Sequence, residues 1–298
     1  MTDLPLDQVR TLLATVDEGT FDAAARVLRV TPSAVSQRIK ALEQRTGRVL
    51  LLRTKPVELT GSGEVVVRFA RQLARLERDA SAELGLSETP GPTRLSIAVN
   101  ADSLATWFLP ALAAAAAELP ICFDLHREDQ DHTTRLLRQG LVMAAVTSSP
   151  DPVQGCTVRT LGRMRYHAVA APGFAARHLA HGPLPEVLGT APVVVFDRKD
   201  DLQDGFLRRL APGGPFPSAR HYVPASEAYV EAVVAGLGWG VVPEAQAAPH
   251  RRSGALVDLA PRLPVDVPLY WQQWKLDSPA LNALATAVAA AAAAALVC

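Results

Sequence analysis

The stretch that most constrains this chain is TPSAVSQRIKALEQR, residues 31–45. Thr31 can cap a helix with its hydroxyl, and Pro32 suits the first helical position, where its missing N–H costs nothing. Gly47 stands just past the last periodic residue, where a left-handed stop is expected. Two stripes run along this predicted helix. Val35, Ile39 and Leu42 recur at helical spacing and face a core. Ser33, Ser36, Gln37 and Lys40 recur on the other side, and Thr31, Pro32 and Arg38 are assigned with them. Short side chains at the N-terminal end let the backbone approach another surface closely. A helix apolar behind and Ser/Gln/Lys in front fits a DNA major groove.

The upstream residues give that helix its context. Phe21, Ala24, Ala25 and Leu28 form a second apolar stripe behind a capping Thr20, and Val9, Leu12, Leu13 and Val16 form a third. Only Arg29 and Val30 separate the second helix from Thr31, which predicts a helix-turn-helix. Net charge is zero, with 30 basic and 30 acidic residues, so whole-chain charge says nothing of nucleic acid. Local charge does. Arg26, Arg29, Arg38, Lys40, Arg45, Arg48, Arg53 and Lys55 share their segment with one acid, Glu43. Such a block offers phosphate contacts.

Residues 49–52 and 56–59 read as a two-stranded wing, which places Arg53 against a minor groove or backbone. Thr60 caps the next helix, expected to run to about residue 84. Its stripe of Val65, Phe69, Leu73, Leu76 and Ala80 cannot be buried within one helix. Pairing about a two-fold axis would present two recognition helices to a palindromic site. The alternative is packing against the second half of the same chain. SETPGPT, residues 87–93, is a linker by composition. Beyond it, short apolar runs alternate with helical patterns, predicting a parallel sheet covered on both faces.

The segment GTFDAAARVLRVTPSAVSQRIKALEQRTGRVLLLR, followed by LTGSGE, resembles the DNA-binding end of LysR-type transcriptional regulators. NADSLATWFLPAL, from residue 100, resembles the ArgP/LysG branch, which answers to basic amino acids. Pro32 stands where that branch usually has Gln. The resemblance covers essentially the whole chain. It implies an α/β protein with an all-α N-terminal part: a winged helix-turn-helix over 1–60, a dimerisation helix and hinge over 61–92, and an effector domain over 93–298. Periplasmic-binding-protein-like subdomains are implied, one from 93–167 plus 268–298 and the other from 168–267. Further implications are a homodimer or homotetramer, RNA polymerase as a partner, and regulation of a basic amino acid exporter gene.

A cleft between such subdomains lies outside the strand ends. Asn100 and Ser103 sit where a strand gives way to a helix, which favours an anion such as a carboxylate. Ser103 read as a helix cap is the alternative. Thr147 and Ser148 add donors. Glu128, Asp129 and Asp197 follow strands, and Ser226 and Glu227 open a helix. These acids suit a cationic end, although Asp131, Ser226 and Glu227 also read as helix-terminal residues. Lysine or arginine satisfies both ends. A simple carboxylate is the second reading.

No phosphate-binding glycine loop, HExxH or GxSxG motif occurs, so an enzyme reading lacks a nucleophile. His126 and His132 match no metal spacing, and no cofactor is expected. Cys122, Cys156 and Cys298 are an odd set without CxxC, and the N-terminus lacks signal-peptide character. A reduced, cytoplasmic setting follows. Residues 279–297 are Ala-rich but weakly apolar, and read as a packed helix rather than a membrane span.

Overall fold

The computed structural model describes residues 4–86, 92–127 and 130–297. Helices α1 (Leu6–Asp17), α2 (Phe21–Leu28) and α3 (Pro32–Thr46) pack around Val9, Leu12, Ala24, Ala25, Val35, Ile39 and Leu42. The small Ala24 and Ala25 let α2 approach closely. Thr20 and Thr31 accept from the N–H groups of Ala23 and Ala34, and Gly47 stops α3 at φ 65°. The α2–α3 turn is made by Arg29 in the left-handed region, at φ 54°. Strands β1 (Leu51–Leu52) and β2 (Glu58–Leu59) pair antiparallel as the wing. Glu43 ties α3 to it by accepting from the Leu50 N–H at 2.9 Å.

Thr60 accepts from the Gly63 N–H at 3.1 Å and opens α4 (Gly61–Glu83). A Cβ on Gly63 would lie 1.8 Å from the Leu50 carbonyl oxygen, so only glycine admits this approach of α4 to the wing. Helix α4 shows three faces. Val66, Val67 and Ala70 are buried against the three-helix unit. The buried Arg68 and Arg75 reach the second half of the chain. Val65, Phe69, Leu76 and Ala80 stay exposed, with Leu73 half-buried beside them. Both sequence-based readings of this helix thus describe part of it, because the arginine face and the apolar stripe are different faces.

Strand β3 (Thr93–Val99) leads into α5 (Ala101–Ser103), a π-helical turn (Leu104–Phe108) and α6 (Leu109–Glu118). Then come β4 (Ile121–Arg127), α7 (Gln130–Gln139), β5 (Ala144–Thr147) and the long β6 (Cys156–Ala170). The second subdomain follows as α8 (Pro172–His178), α9 (Leu184–Thr190), β7 (Val193–Val195), α10 (Leu202–Leu210) and β8 (Arg220–Tyr222). It ends with α11 (Ser226–Val234), β9 (Gly240–Pro243), α12 (Glu244–Arg252) and β10 (Val257–Asp258). The chain returns through β11 (Val265–Trp274) to α13 (Pro279–Ala295), which packs on α6.

The main sheet runs β10-β6-β11-β5-β3-β4, with β9 also paired to β6. Strands β3, β4 and β5 are parallel, but β6 and β11 are antiparallel to each other along most of their length. An all-parallel sheet is therefore corrected. The chain crosses between subdomains twice in opposite directions, so the two crossing strands must run antiparallel. Ala168 and Val267, the expected crossing points, lie in these strands. Strands β7 and β8 form a small parallel pair, joined to the rest through the Val193–Trp239 bridge.

Candidate functional site: a basic helix face and an acidic cleft

On α3 the core stripe is fully buried, whereas Thr31, Pro32, Ser33, Gln37 and Lys40 are exposed and Ser36 is half-buried. Arg38 departs from this set. Its guanidinium turns back to α1, with Nη1 3.4 Å from the Thr11 hydroxyl and Nε 3.9 Å from Asp7. At one residue past Gln37 it is rotated toward the flank of the helix, so it braces α3 rather than joining the polar stripe. Arg53 sits exposed past β1, its guanidinium 5.6 Å from the centre of the Phe21 ring. Arg26, Arg29, Arg45, Arg48 and Lys55 are exposed around this surface.

Between the subdomains lies a cleft of about 790 Å³. Its floor carries a residue the sequence reading passed over. Asp102, in the first turn of α5, accepts from the Ser226 hydroxyl at 2.7 Å and from the Tyr166 phenol at 2.9 Å. Burial pushes its carboxyl above the usual carboxylate range, although both hydrogen bonds oppose this. Asp200 also lines the cleft. It accepts the Phe196 and Leu202 N–H groups, each at 3.0 Å, and burial raises it too. Neither makes an ion pair with a described cation. Asp197 accepts from the N–H groups of Lys199 and Asp200, a local turn at the cleft wall. Asn100 lines the cleft with its Oδ1 buried and, among the described residues, unpartnered; Gln203 Oε1 is likewise unpartnered, but Gln203 is fully buried behind the lining residues. Arg127, at the end of β4, and Ser148 also line the cleft.

Other sequence-based candidates stand elsewhere. Ser103 is fully buried with an unpartnered hydroxyl and is not among the lining residues. Its neighbour Asp102 takes the cleft position, because Ser103 is turned inward on the same helix. Thr147 is buried and accepts from the Ser149 N–H, serving a turn. Ser226 meets the cleft acid rather than an open space. Glu227 is exposed and outside the lining set. Glu128 and Asp129, the side chain of Asp131, and residues 87–91 of the linker lie outside the described residues. Among the described residues, no group of three His, Cys, Asp or Glu is placed to hold a metal, and no helix is long and apolar enough to cross a membrane.

A winged helix-turn-helix, a long helix with an exposed apolar stripe and a two-lobed domain with a polar cleft define a ligand-responsive DNA-binding protein. The profile for the bacterial regulatory helix-turn-helix protein, lysR family, matches residues 6–64, and that for the LysR substrate binding domain matches residues 90–293. The chain belongs to the LysR family of transcriptional regulators. It is 46% identical over 294 residues to the HTH-type transcriptional regulator LysG of Mycobacterium tuberculosis, covering 98% of this chain and 95% of that one. It is 43% identical over 287 residues to the lysine export transcriptional regulatory protein LysG of Corynebacterium glutamicum, covering 96% and 97%. The structure of full-length LysG from Corynebacterium glutamicum with bound effector Arg matches at a TM-score of 0.88 and 41% identity, covering 99% of this chain and all of that one.

Proposed function

We propose that this regulator senses a basic amino acid, arginine or lysine, in the cleft, and controls a basic amino acid exporter gene. The observation that carries this reading is the acceptor-rich floor: two half-buried carboxylates, Asp102 and Asp200, without a cationic partner among the described residues, beside the unpartnered amide oxygen of Asn100. Carboxylates drawn partly out of water in that state gain from a donor-rich cation. Arg127 at the rim suits the guest's own carboxylate. The similarity to an arginine-bound LysG supports the same guest.

The guest touches both lobes, because Asp102 belongs to one and Asp200 to the other. It shifts their angle only as far as it binds one arrangement better. Helix α4 pairs two protomers, and the α/β domains pair dimers into tetramers. The protein works in the cytoplasm on operator DNA, with RNA polymerase as its downstream partner, and acts without catalysis.

Calorimetry on the full chain with arginine, lysine and norleucine tests the effector. Norleucine keeps the carboxylate and lacks the distal charge. Arginine or lysine should bind at least about ten-fold more tightly, the equivalent of one hydrogen bond to a charged group. Equal binding of norleucine favours the simple carboxylate instead.

A further inference from the structure

Behind the cleft floor, Ser226 stands between two oxygens. Its Oγ lies 2.7 Å from Asp102 Oδ1 and 3.1 Å from Gln246 Oε1. A serine hydroxyl carries one proton, and a carboxylate has none to lend. The two contacts therefore cannot both be made by oxygen acceptors. The shorter one, to Asp102, takes the proton. The longer one is still within hydrogen-bond reach. It is satisfied when the Gln246 amide turns its nitrogen to Ser226, since the two ends of an amide have one shape and are told apart only by their partners. Donation then runs in one direction, from Gln246 Nε2 to Ser226 Oγ and from Ser226 Oγ to Asp102 Oδ1.

Three helical elements meet in this chain of donors. Gln246 is in the first turn of α12, Ser226 is the first residue of α11, and Asp102 is on α5 in the other lobe. Ser226 makes no capping bond to its own helix, so its hydroxyl is free for this duty. Tyr166 supplies the donor for the second Asp102 oxygen. Asp102 lines the cleft, but Ser226 and Gln246 are not among the lining residues. Ser226 is buried and Gln246 half-buried. Gln246 thus stands two bonds behind the acid that faces a guest. The Ser226–Asp102 bond also crosses between the lobes, so whatever orients Ser226 helps hold the lobes in this arrangement.

We infer that Gln246 is a positioning residue for the cleft: its amide N–H commits the single proton of Ser226 to Asp102, which keeps that acid oriented toward the guest and ties α11 and α12 of one lobe to α5 of the other. The consequence for effector affinity rests on the cleft being the effector site; the relay itself does not.

Gln246→Glu separates this role from a merely structural one, read by thermal melts of the ligand-free full chain and by calorimetry with arginine, both at neutral pH. Position 246 is the third residue of α12, where an acid complements the helix N-terminus, and an added negative charge attracts a cationic guest. Helix stability and charge alone therefore lead to an unchanged or higher Tm and to unchanged or tighter arginine binding. The relay leads to the reverse, because the new carboxylate only accepts and draws the Ser226 proton off Asp102. Tm should fall, and arginine should bind several-fold more weakly. Asp102→Asn supplies a donor at the other end, so the chain can run backwards from the new amide through Ser226 to the new carboxylate. In that background Gln246→Glu should cost no Tm. With Ser226→Ala added, the cost of Gln246→Glu should no longer depend on whether Asp102 is replaced. A Tm that does not fall in Gln246→Glu, or no recovery with Asp102→Asn, overturns the relay. Recovery that persists without the Ser226 hydroxyl also overturns it, since charge repulsion alone would then explain the result. Should Gln246→Glu not fold, Gln246→Met, which cannot donate a hydrogen bond, replaces it. Its losses in Tm and in arginine affinity should disappear in the Ser226→Ala background, and losses that add there overturn the relay. If arginine fails to bind the wild type, the cleft reading falls, while the melts still decide the relay.

Discussion

The Ser226 hydroxyl on α11 donates to Asp102 on α5 at 2.7 Å, joining the two lobes across the floor of the cleft. The acceptor is a carboxyl whose burial raises it above its ordinary value of 3.8. The folded chain thus holds this proton more tightly than the unfolded chain. Its contribution to stability is fully present below the unfolded value and is lost as pH rises through the raised folded value. Asp102→Asn removes that loss, and Ser226 can rotate its hydroxyl to meet the amide. The ligand-free variant should gain in Tm over the wild type as pH rises from 4 toward neutrality, by an increment that grows with pH. Its arginine affinity should fall at least about ten-fold, since a charged hydrogen bond is lost. Thermal melts across pH, paired with calorimetry, check both. A Tm difference independent of pH would show that Asp102 is ionised as easily in the fold as outside it.

The exposed stripe of α3 should divide into base-reading and positioning residues. Gln37→Ala should alter base preference, at about 1–3 kcal/mol for a lost bidentate contact. Lys40→Ala should weaken all sequences alike and flatten the slope of log affinity against log salt by about 0.9. Arg38→Ala should instead lower the melting temperature slightly, because its partners are Asp7 and Thr11. Anisotropy titrations on operator and scrambled DNA at several salt concentrations separate these outcomes. An unchanged preference in Gln37→Ala would mean that another face enters the groove.

The N-terminal half was legible because its signals are local. Caps at Thr20, Thr31 and Thr60, the stop at Gly47 and the stripes all lie within a few residues of what they control. The cleft was less legible because its residues meet only through the fold. An acid at the start of a helix, such as Asp102, reads as a complement to the macrodipole. Only the tertiary contacts with Tyr166 and Ser226 give it another role. Asp200 sits in DRKDD, a polar run without periodicity. The sequence points to Ser103 for the cleft because periodicity does not tell which side of a three-residue helical turn faces the other lobe. Nothing in the spacing separated Arg38 from Gln37, since adjacent helical positions differ by about 100° and the flank between two stripes is ambiguous.

The exposed stripe of α4 should be a dimer seam. Val65, Phe69 and Leu76 are 46%, 39% and 45% exposed on a helix whose other faces are covered by the same chain. Phe69→Asp would bury an unpaired charge in a two-fold contact, a change costing several kcal/mol by the order of magnitude for such groups. Light scattering on the folded variant should report monomers, or tetramers reduced to dimers. A wild-type mass and melting temperature would place the seam elsewhere.

Arg71 is where effector and DNA-binding parts meet. Its Nη1 donates to the carbonyl of Gln139, the last residue of α7, at 2.6 Å, and its Nη2 pairs with Asp17 of α1 at 2.5 Å. Arg68 donates to the Arg138 carbonyl beside it, and Gln139 donates back to Glu64 on α4 at 3.0 Å. Carbonyls at a helix C-terminus lack intrahelical partners, so these arginines complete α7 while holding it to α4. The other end of α7 begins three residues after Arg127, which lines the cleft. Helix α7 thus follows a strand that ends in a cleft-lining residue, and its own last residues make the joint with α4. Arg71→Met keeps much of the stem and removes both polar contacts. Arginine should bind this variant as it binds the wild type, and DNA should bind it without arginine nearly as before. What should shrink is the factor by which arginine changes DNA affinity, moving toward one. That factor is a coupling free energy, so it must shrink equally when read from the other side, as the effect of DNA on arginine affinity. Anisotropy with and without arginine, and calorimetry with and without operator, measure the two sides. Asp17→Asn keeps the α7 contact and loses the charge on α1, so it should give an intermediate coupling. Full coupling in Arg71→Met would show that the signal travels through another contact.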